Sequence, residues 1–420
     1  MRSLSQFLKS TPAVLPGMIP PPVCPPAAVS MKICDLTQFY SPVSGGVKRY
    51  IEQKVAYLRA HRPDCAHILI IPGEASICTG DAQVRVYTIQ SPLISRKSRY
   101  RALLDLNRVE EILERENPSI IESGDPYQIA WKAIASGRAL GIPVVGFYHS
   151  HFPEAYIRTI AKFLGPISVQ IAEEISRRYV TALYNRFERT LVPSPALADL
   201  LGSWGLENAT PTDLGVNIDT FHPEGRDDRS LRREHDIPDD RILLLYVGRL
   251  APEKNVRTLF LAFEKLWEQA PGRYHLLAVG DGTRRSDLIR IRERTGAITW
   301  LPYCGDSTAL ACLYRAADLF VHPGILETFG LVTLEAQACG TPVVGIRGSY
   351  MDRIIFTNQR HWAVENTPAA LAEAIRSVAA RNRAAEGASA SAAVRERYGW
   401  QQIFDRLFSV YREVIEAYKP

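Results

Sequence analysis

No apolar run in this chain approaches the roughly 18 residues that a membrane span needs, so no transmembrane helix is expected. Cysteine is sparse: seven residues, at 24, 34, 65, 78, 304, 312 and 339, odd in number and without a C-x-x-C pair. That scatter argues against a zinc site or a disulfide framework and fits reduced thiols in a cytoplasmic protein. No D-x-D triplet occurs, so a carboxylate pair for a nucleotide-bound divalent metal is not evident and no metal or cofactor is expected. Charge of one sign is lacking too. Fifty Lys plus Arg against 45 Asp plus Glu leave a net +5, too little to argue for nucleic acid, yet compatible with a local basic site for phosphates or anionic lipid.

What is present is an ordinary globular composition, 46% apolar and 23% charged, in a chain of 420 residues. That length exceeds what one core usually supports, so two domains are expected. Residues 1–30 hold seven prolines, no helical or strand period and no compact apolar segment of a secretory signal, and read as a disordered extension. From Met31 short apolar runs alternate with amphipathic stretches. "MKICDLT" (31–37), "HILIIPG" (67–73), "VRVYTIQ" (84–90), "SIIESG" (119–124), "PVVGFYH" (143–149) and "TLVPS" (190–194) read as buried parallel strands. "VKRYIEQKVAYLRAH" (47–61) and "YQIAWKAIASGRAL" (127–140) read as helices between them. After a polar stretch the alternation restarts with "ILLLYVGR" (242–249), "YHLLAVG" (274–280), "AITWLPY" (297–303), "ADLFVHP" (317–323) and "PVVGI" (342–346). The expected fold is α/β, with two Rossmann-like doubly wound domains facing across a cleft, residues 31–215 and 216–399. An amphipathic helix over 400–420 needs an apolar surface to cover, which either the second domain or a crossing back to the first would supply.

The stretch "HPGILETFGLVTLEAQACGTPVVGI" (322–346) sets two carboxylates, Glu327 and Glu335, around a strand-to-helix turn. The amides of Phe329, Gly330 and Leu331 open the helix, and its dipole favours an anion there. Gly330 admits close approach of a phosphate to the backbone. Carboxylates suit hydroxyls, because one carboxylate accepts two hydrogen bonds from a vicinal diol. A phosphate flanked by hydroxylated rings is a nucleotide diphosphate sugar. Taken alone, Glu327 is equally a screen for the helix N-terminus and Glu335 a solvated acid. "YVGRLAPEKN" (246–255) brings Arg249 and Lys254 to the same strand edge, where two cations suit a diphosphate leaving group; the plainer reading pairs Lys254 with Glu253. "AVGDGTRR" (278–285) adds a glycine turn at Gly280.

Together these motifs resemble a retaining glycosyltransferase of family 4 (glycosyl transferases group 1) with the GT-B fold. The shared pattern is E-x7-E followed by A-x-A-x-G-x-P-V-V, from Glu327 to Val344, with "VGRLAPEKN" upstream. "SPVSGGVKRY" (41–50) resembles the family's glycine loop, "FYHSHFPE" (147–154) its histidine loop and "LGVNIDTFHP" (214–223) its interdomain segment, where Asn217 replaces the commoner aspartate. The resemblance implies that Arg249 and Lys254 hold the donor diphosphate, Glu327 binds sugar hydroxyls beside the amides of Phe329, Gly330 and Leu331, and Glu335 binds the ribose. It also implies that Gly45 and Gly46 admit the diphosphate, that His149, preferred over His151, sits by the reacting sugar, and that the helix over 400–420 packs back on the first domain. A lone histidine after a strand is ordinarily structural, and only the motif context raises His149 above that.

The expected activity is metal-independent transfer of a hexosyl group from a GDP- or UDP-sugar to a hydroxyl on a lipid or glycan acceptor. The alternatives are a GT-B nucleotide-sugar epimerase, a phosphorylase and a non-catalytic sugar-nucleotide-binding protein. "SRKSRYR" (95–101), with Arg96, Lys97, Arg99 and Arg101, is either a solvated loop or a contact for anionic membrane at about 1 kcal/mol per cation. The expected location is therefore cytoplasmic, with a peripheral membrane contact left open.

Overall fold

The computed structural model describes residues 29–38, 40, 46–94, 99–149, 166–225, 228–325, 327, 329–349 and 351–419. The expected extension up to residue 28, Gly45, His151, Arg96 and Lys97 lie outside the described residues. The chain forms two units, Met1–Asp213 with Ile403–Pro420, and Leu214–Gln402.

In the first unit the strands are β1 (Met31–Leu36), β2 (Cys65–Gly73), β3 (Ile77–Gly80), β4 (Val84–Gln90), β5 (Ile120–Ser123), β6 (Val144–Phe147), β7 (Arg189–Val192) and β8 (Ala209–Pro211). Their order across the sheet is β3-β4-β2-β1-β5-β6-β7-β8. All neighbours run parallel except β3, which pairs antiparallel with β4. The β3–β4 hairpin is closed by Gly80 at φ +125°, where a Cβ would lie 2.0 Å from the Val84 carbonyl oxygen, and by Asp81 Oδ1, which accepts the amides of Gln83 and Val84. Only glycine fits that approach. Strand order reverses between β1 and β5, the place where open α/β sheets bind ligands.

Helix ends follow local chemistry. Asp105 caps Leu106–Glu116 through the amide of Arg108, and Ser194 caps Pro195–Ser203 through that of Leu197. The terminal helix Trp400–Ala417 buries Ile403, Phe404, Leu407, Phe408, Tyr411 and Val414, a helical stripe. Phe404 and Phe408 pack on Tyr57 of the helix Gly46–His61, with ring centroids 5.4 and 5.3 Å away. Burial of each such side chain contributes about 2 kcal/mol, enough to hold this helix on the first unit.

The second unit has β9 (Ile242–Val247), β10 (Tyr274–Val279), β11 (Ile298–Leu301), β12 (Leu319–Val321) and β13 (Val343–Val344), ordered β11-β10-β9-β12-β13 and parallel throughout. β9, β10, β12 and β13 are continuous apolar runs buried on both faces, as a helix-covered parallel sheet requires, whereas the edge strand β11 is half-buried. Here the order reverses between β9 and β12. The loops leaving those two strands are the ones that carry Arg249, Lys254 and Glu327.

Candidate active site

The loop after β9 turns at a 3-10 segment, Pro252–Lys254, and at Asn255, which holds φ +53° before the helix Val256–Gln269 begins. Asn255 Nδ2 donates to the carbonyl of Pro323 at 2.8 Å and to Asn366 Oδ1 at 2.7 Å, while its Oδ1 accepts from the Thr258 hydroxyl at 2.8 Å. The β9 loop is thus tied to the loop after β12. Tyr246 reinforces it, its hydroxyl donating to the Arg249 carbonyl at 2.9 Å.

This clamp brings Lys254 Nζ to 2.5 Å from Glu327 Oε1. The plainer pairing of Lys254 with Glu253 is not what forms: Glu253 takes Arg249 instead, Nη1 to Oε1 3.0 Å. His322 Nε2 stands 3.9 Å from the same Glu327 oxygen. Burial of Glu327 works to raise its pKa, but Lys254, His322 and Arg249 outweigh it and hold the carboxyl below the usual carboxylate range. Burial, aided by Lys254 and opposed by Glu327, holds His322 below its ordinary value, which favours the neutral imidazole. Arg249, exposed at the surface, Lys254 and Glu327 therefore form one electrostatic group. An anion reaching this edge would compete with Glu327 for the Lys254 ammonium.

The helix Leu331–Ala338 starts beside this group without a side-chain cap, in contrast to the caps supplied by Asp306 and Thr367 to their helices. The first amides of a helix have no intrahelical acceptor and carry partial positive charge. Gly330, the residue before the helix, sits at φ +81°, and a Cβ there would lie 2.3 Å from Met351 Sδ. Its conformation and its packing both demand glycine, beyond any approach of a phosphate. Gly330→Ala is expected to cost about 2 kcal/mol of stability, read as a lower urea midpoint. Phe329 is buried against Tyr398 and Arg353.

Glu335 lies inside the helix Leu331–Ala338. It is 2% exposed, and Tyr314 donates its hydroxyl to Oε2 at 3.0 Å, so the solvated acid considered from sequence is a buried, hydrogen-bonded one. Gly280 is likewise engaged within the sheet: its amide donates to the Leu301 carbonyl, its carbonyl accepts Trp300 Nε1 at 2.8 Å, and a Cβ would lie 2.0 Å from the Gly248 carbonyl oxygen. Close approach of β9 and β10 accounts for this glycine.

In the first unit, Gly46 is the exposed first residue of the helix Gly46–His61. His149 follows β6 at the carboxyl edge, its amide donating to the Phe147 carbonyl at 3.0 Å. Its ring stacks on Phe147, centroids 3.9 Å apart at 1°, and meets Tyr50 edge-on at 5.2 Å. Cδ2 lies 3.5 Å from where a Cβ on Gly124 would stand, and Thr37 is equally near. Desolvation of the imidazole, with Lys54 acting the same way and Asp35 opposing, pushes its pKa down to about 3. His149 is therefore neutral at physiological pH and offers one N–H donor and one acceptor.

Sequence reading missed Asn255, His322, Tyr314 and Met351 as parts of the site. Only Asn255 left a local sign, a residue tolerant of positive φ between two helical segments. His322 stands five positions before Glu327, within the quoted stretch, but a lone histidine gives no sign of its partner; Tyr314 and Met351 are distant in sequence from what they touch.

Comparison with known proteins places these geometries in context. Residues 44–219 match the family described as "Glycosyltransferase Family 4", and residues 227–394 match "Glycosyl transferases group 1". The chain is 29% identical over 358 residues to a GDP-mannose-dependent alpha-(1-6)-phosphatidylinositol dimannoside mannosyltransferase of Mycobacterium tuberculosis, covering 84% of this chain and 88% of that one. A GDP-mannose-dependent alpha-mannosyltransferase of Corynebacterium glutamicum is 29% identical over 331 residues, 76% of this chain and 72% of the relative. Among solved structures, sucrose-phosphate synthase from Thermosynechococcus elongatus superposes with a TM-score of 0.72 at 20% identity, over 92% of this chain and all of that one. Anabaena HepE, in complex with UDP and glucose, gives 0.69 at 18% identity over 91% of this chain and 100% of that one.

Proposed function

This chain belongs to the family 4, group 1 glycosyltransferases with the GT-B fold, and from that premise we propose that it moves a hexosyl group from a nucleotide diphosphate sugar to an acceptor hydroxyl on a lipid. The observation that carries the reading is the Lys254–Glu327 pair, clamped by Asn255 beside the uncapped N-terminus of Leu331–Ala338. One cation and one carboxylate at a helix start match a ligand with an anion next to hydroxyls.

In this reading the bond from the anomeric carbon to the diphosphate oxygen breaks, and the acceptor oxygen bonds to that carbon on the same face, keeping its configuration. The acceptor proton passes to the departing diphosphate. Charge growing on the diphosphate is offset by Lys254, Arg249 and the amides of Gly330 and Leu331. In the same reading Glu327 orients the sugar through its hydroxyls, Glu335 serves the ribose, and neutral His149 is assigned to the reacting sugar.

The two mannosyltransferase relatives described above are GDP-mannose-dependent, and one is named for a phosphatidylinositol dimannoside. Another relative, of Streptococcus pneumoniae, is an alpha-monoglucosyldiacylglycerol synthase. These names support GDP-mannose as the donor to test before UDP-glucose, and a lipid acceptor. No helix among the described residues is long and apolar enough to cross a membrane.

The test is a donor screen that scores nucleotide release with and without phospholipid and glycolipid acceptors, with the anomeric configuration of the product read by NMR. Acceptor-dependent release from one donor and a retained configuration are expected. Release of free nucleotide without any acceptor would favour the epimerase, and binding without turnover a sugar-nucleotide receptor. Metal independence is checked in the same assay: turnover is expected to persist in excess chelator, and its complete loss would contradict the reading.

A further inference from the structure

Beneath His149 lies a buried polar network. Lys54 Nζ, fully buried, donates to Asp35 Oδ1 at 2.8 Å and to the Tyr411 hydroxyl at 3.0 Å, and stands 3.1 Å from Glu122 Oε1. Tyr50 donates its hydroxyl to Glu122 Oε2 at 3.1 Å, and Tyr411 donates to the same oxygen. Asp35 Oδ2 is 2.8 Å from His67 Nε2. Asp35 and Glu122 are paired in register on β1 and β5, so the network sits at the reversal of strand order, two residues from Gly124 and the His149 ring. Two acids and one lysine taken out of water are costly unless every member is bonded. So many bonds to one carboxylate leave Glu122 little freedom.

We propose that Tyr50, anchored by Glu122 and through it by Lys54 and Tyr411, is a positioning residue for the His149 imidazole. Its ring touches both members of the stack, Phe147 at 5.1 Å and His149 at 5.2 Å, each at 64°. Its hydroxyl is tied at the far end, so the ring cannot swing away without breaking a buried hydrogen bond. Phe147 and Tyr50 then form two walls that fix the plane of the imidazole. Burial of the ring disfavours imidazolium first, and Lys54, 4.5 Å from the Tyr50 ring centroid, adds to it against Asp35. This inference rests on the reading that His149 serves the transfer reaction.

The test compares Tyr50→Phe, which keeps the ring and removes the tether, with Tyr50→Leu and His149→Ala in the full chain. Each is followed by kcat, donor KM and the side-chain NMR signals of His149 labelled in the imidazole. Tyr50→Phe is expected to lower kcat about tenfold with KM unchanged and to shift the His149 signals; Tyr50→Leu should do so further. If His149→Ala keeps wild-type kcat, the role of His149 fails and the inference falls with it. If His149→Ala abolishes turnover while both Tyr50 variants keep kcat and the His149 signals, the positioning role alone is overturned. Should Tyr50→Phe not fold, Tyr50→Leu decides alone, and unchanged kcat and His149 signals there overturn the positioning role equally.

Discussion

Replacing Lys254 by alanine is expected to lower turnover by on the order of a hundredfold or more while the fold stays intact. The side chain caps no helix and its charge is met at the site itself, by Glu327. Its removal takes a cation from the place where the leaving diphosphate gathers charge, so nucleoside diphosphate should inhibit the variant less well. A second effect follows from Glu327. Burial drives that carboxyl toward protonation, and Lys254 is the first of the charges that reverse it. Without Lys254 the folded-state pKa rises, so the acid limb of the pH–rate profile should move to higher pH. A group whose folded pKa is depressed adds stability above its unfolded pKa and loses it as pH falls through the folded one. That contribution should vanish in the variant. Lys254→Arg should restore part of both. A folded Lys254→Ala enzyme with the wild-type rate would remove the diphosphate assignment.

Glu327→Gln separates the sugar from the diphosphate. The amide is isosteric and still bonds hydroxyls, yet lacks the charge that accepts two of them at once. kcat/KM for the nucleotide sugar should fall about a hundredfold, whereas inhibition by nucleoside diphosphate should hold or tighten, because Lys254 loses its resident partner. The two variants therefore move opposite readouts. Equal losses for nucleotide sugar and nucleoside diphosphate in Glu327→Gln would place this carboxylate on the wrong part of the donor.

How much of this was legible in the sequence differs by element. β9, β10 and β12 announced themselves because strands buried on both faces are continuous apolar runs, and Gly340, at φ +79°, stopped the helix after Glu335 as a left-handed cap does. β3, four half-buried residues "ICTG" paired only at the sheet edge, and the three residues of β8 carry no comparable signal. The co-location of the β9 and β12 loops was legible from topology, since both leave parallel strands at one edge. The partner choices were not. Lys254 has Glu253 beside it in sequence but reaches Glu327, 73 positions on, because Asn255 and Pro323 fix the loops together.

The buried network left one readable trace. In the helix Gly46–His61 the apolar stripe runs Tyr50, Ile51, Val55 and Leu58, and Lys54 falls on that stripe. A lysine there must find acids inside the protein. Which acids, Asp35 and Glu122, only the sheet register decides. The burial of Glu335 was hidden from the sequence for a similar reason, since Tyr314 meets it from a separate helix.

The measurement that bears most directly on the account is a crystal structure of the protein with a non-hydrolysable nucleotide sugar. The diphosphate is expected within hydrogen-bond reach of Lys254 Nζ, the Arg249 guanidinium and the amides opening Leu331–Ala338, with sugar hydroxyls on Glu327. A donor bound with its diphosphate away from Lys254 and that helix start would contradict it.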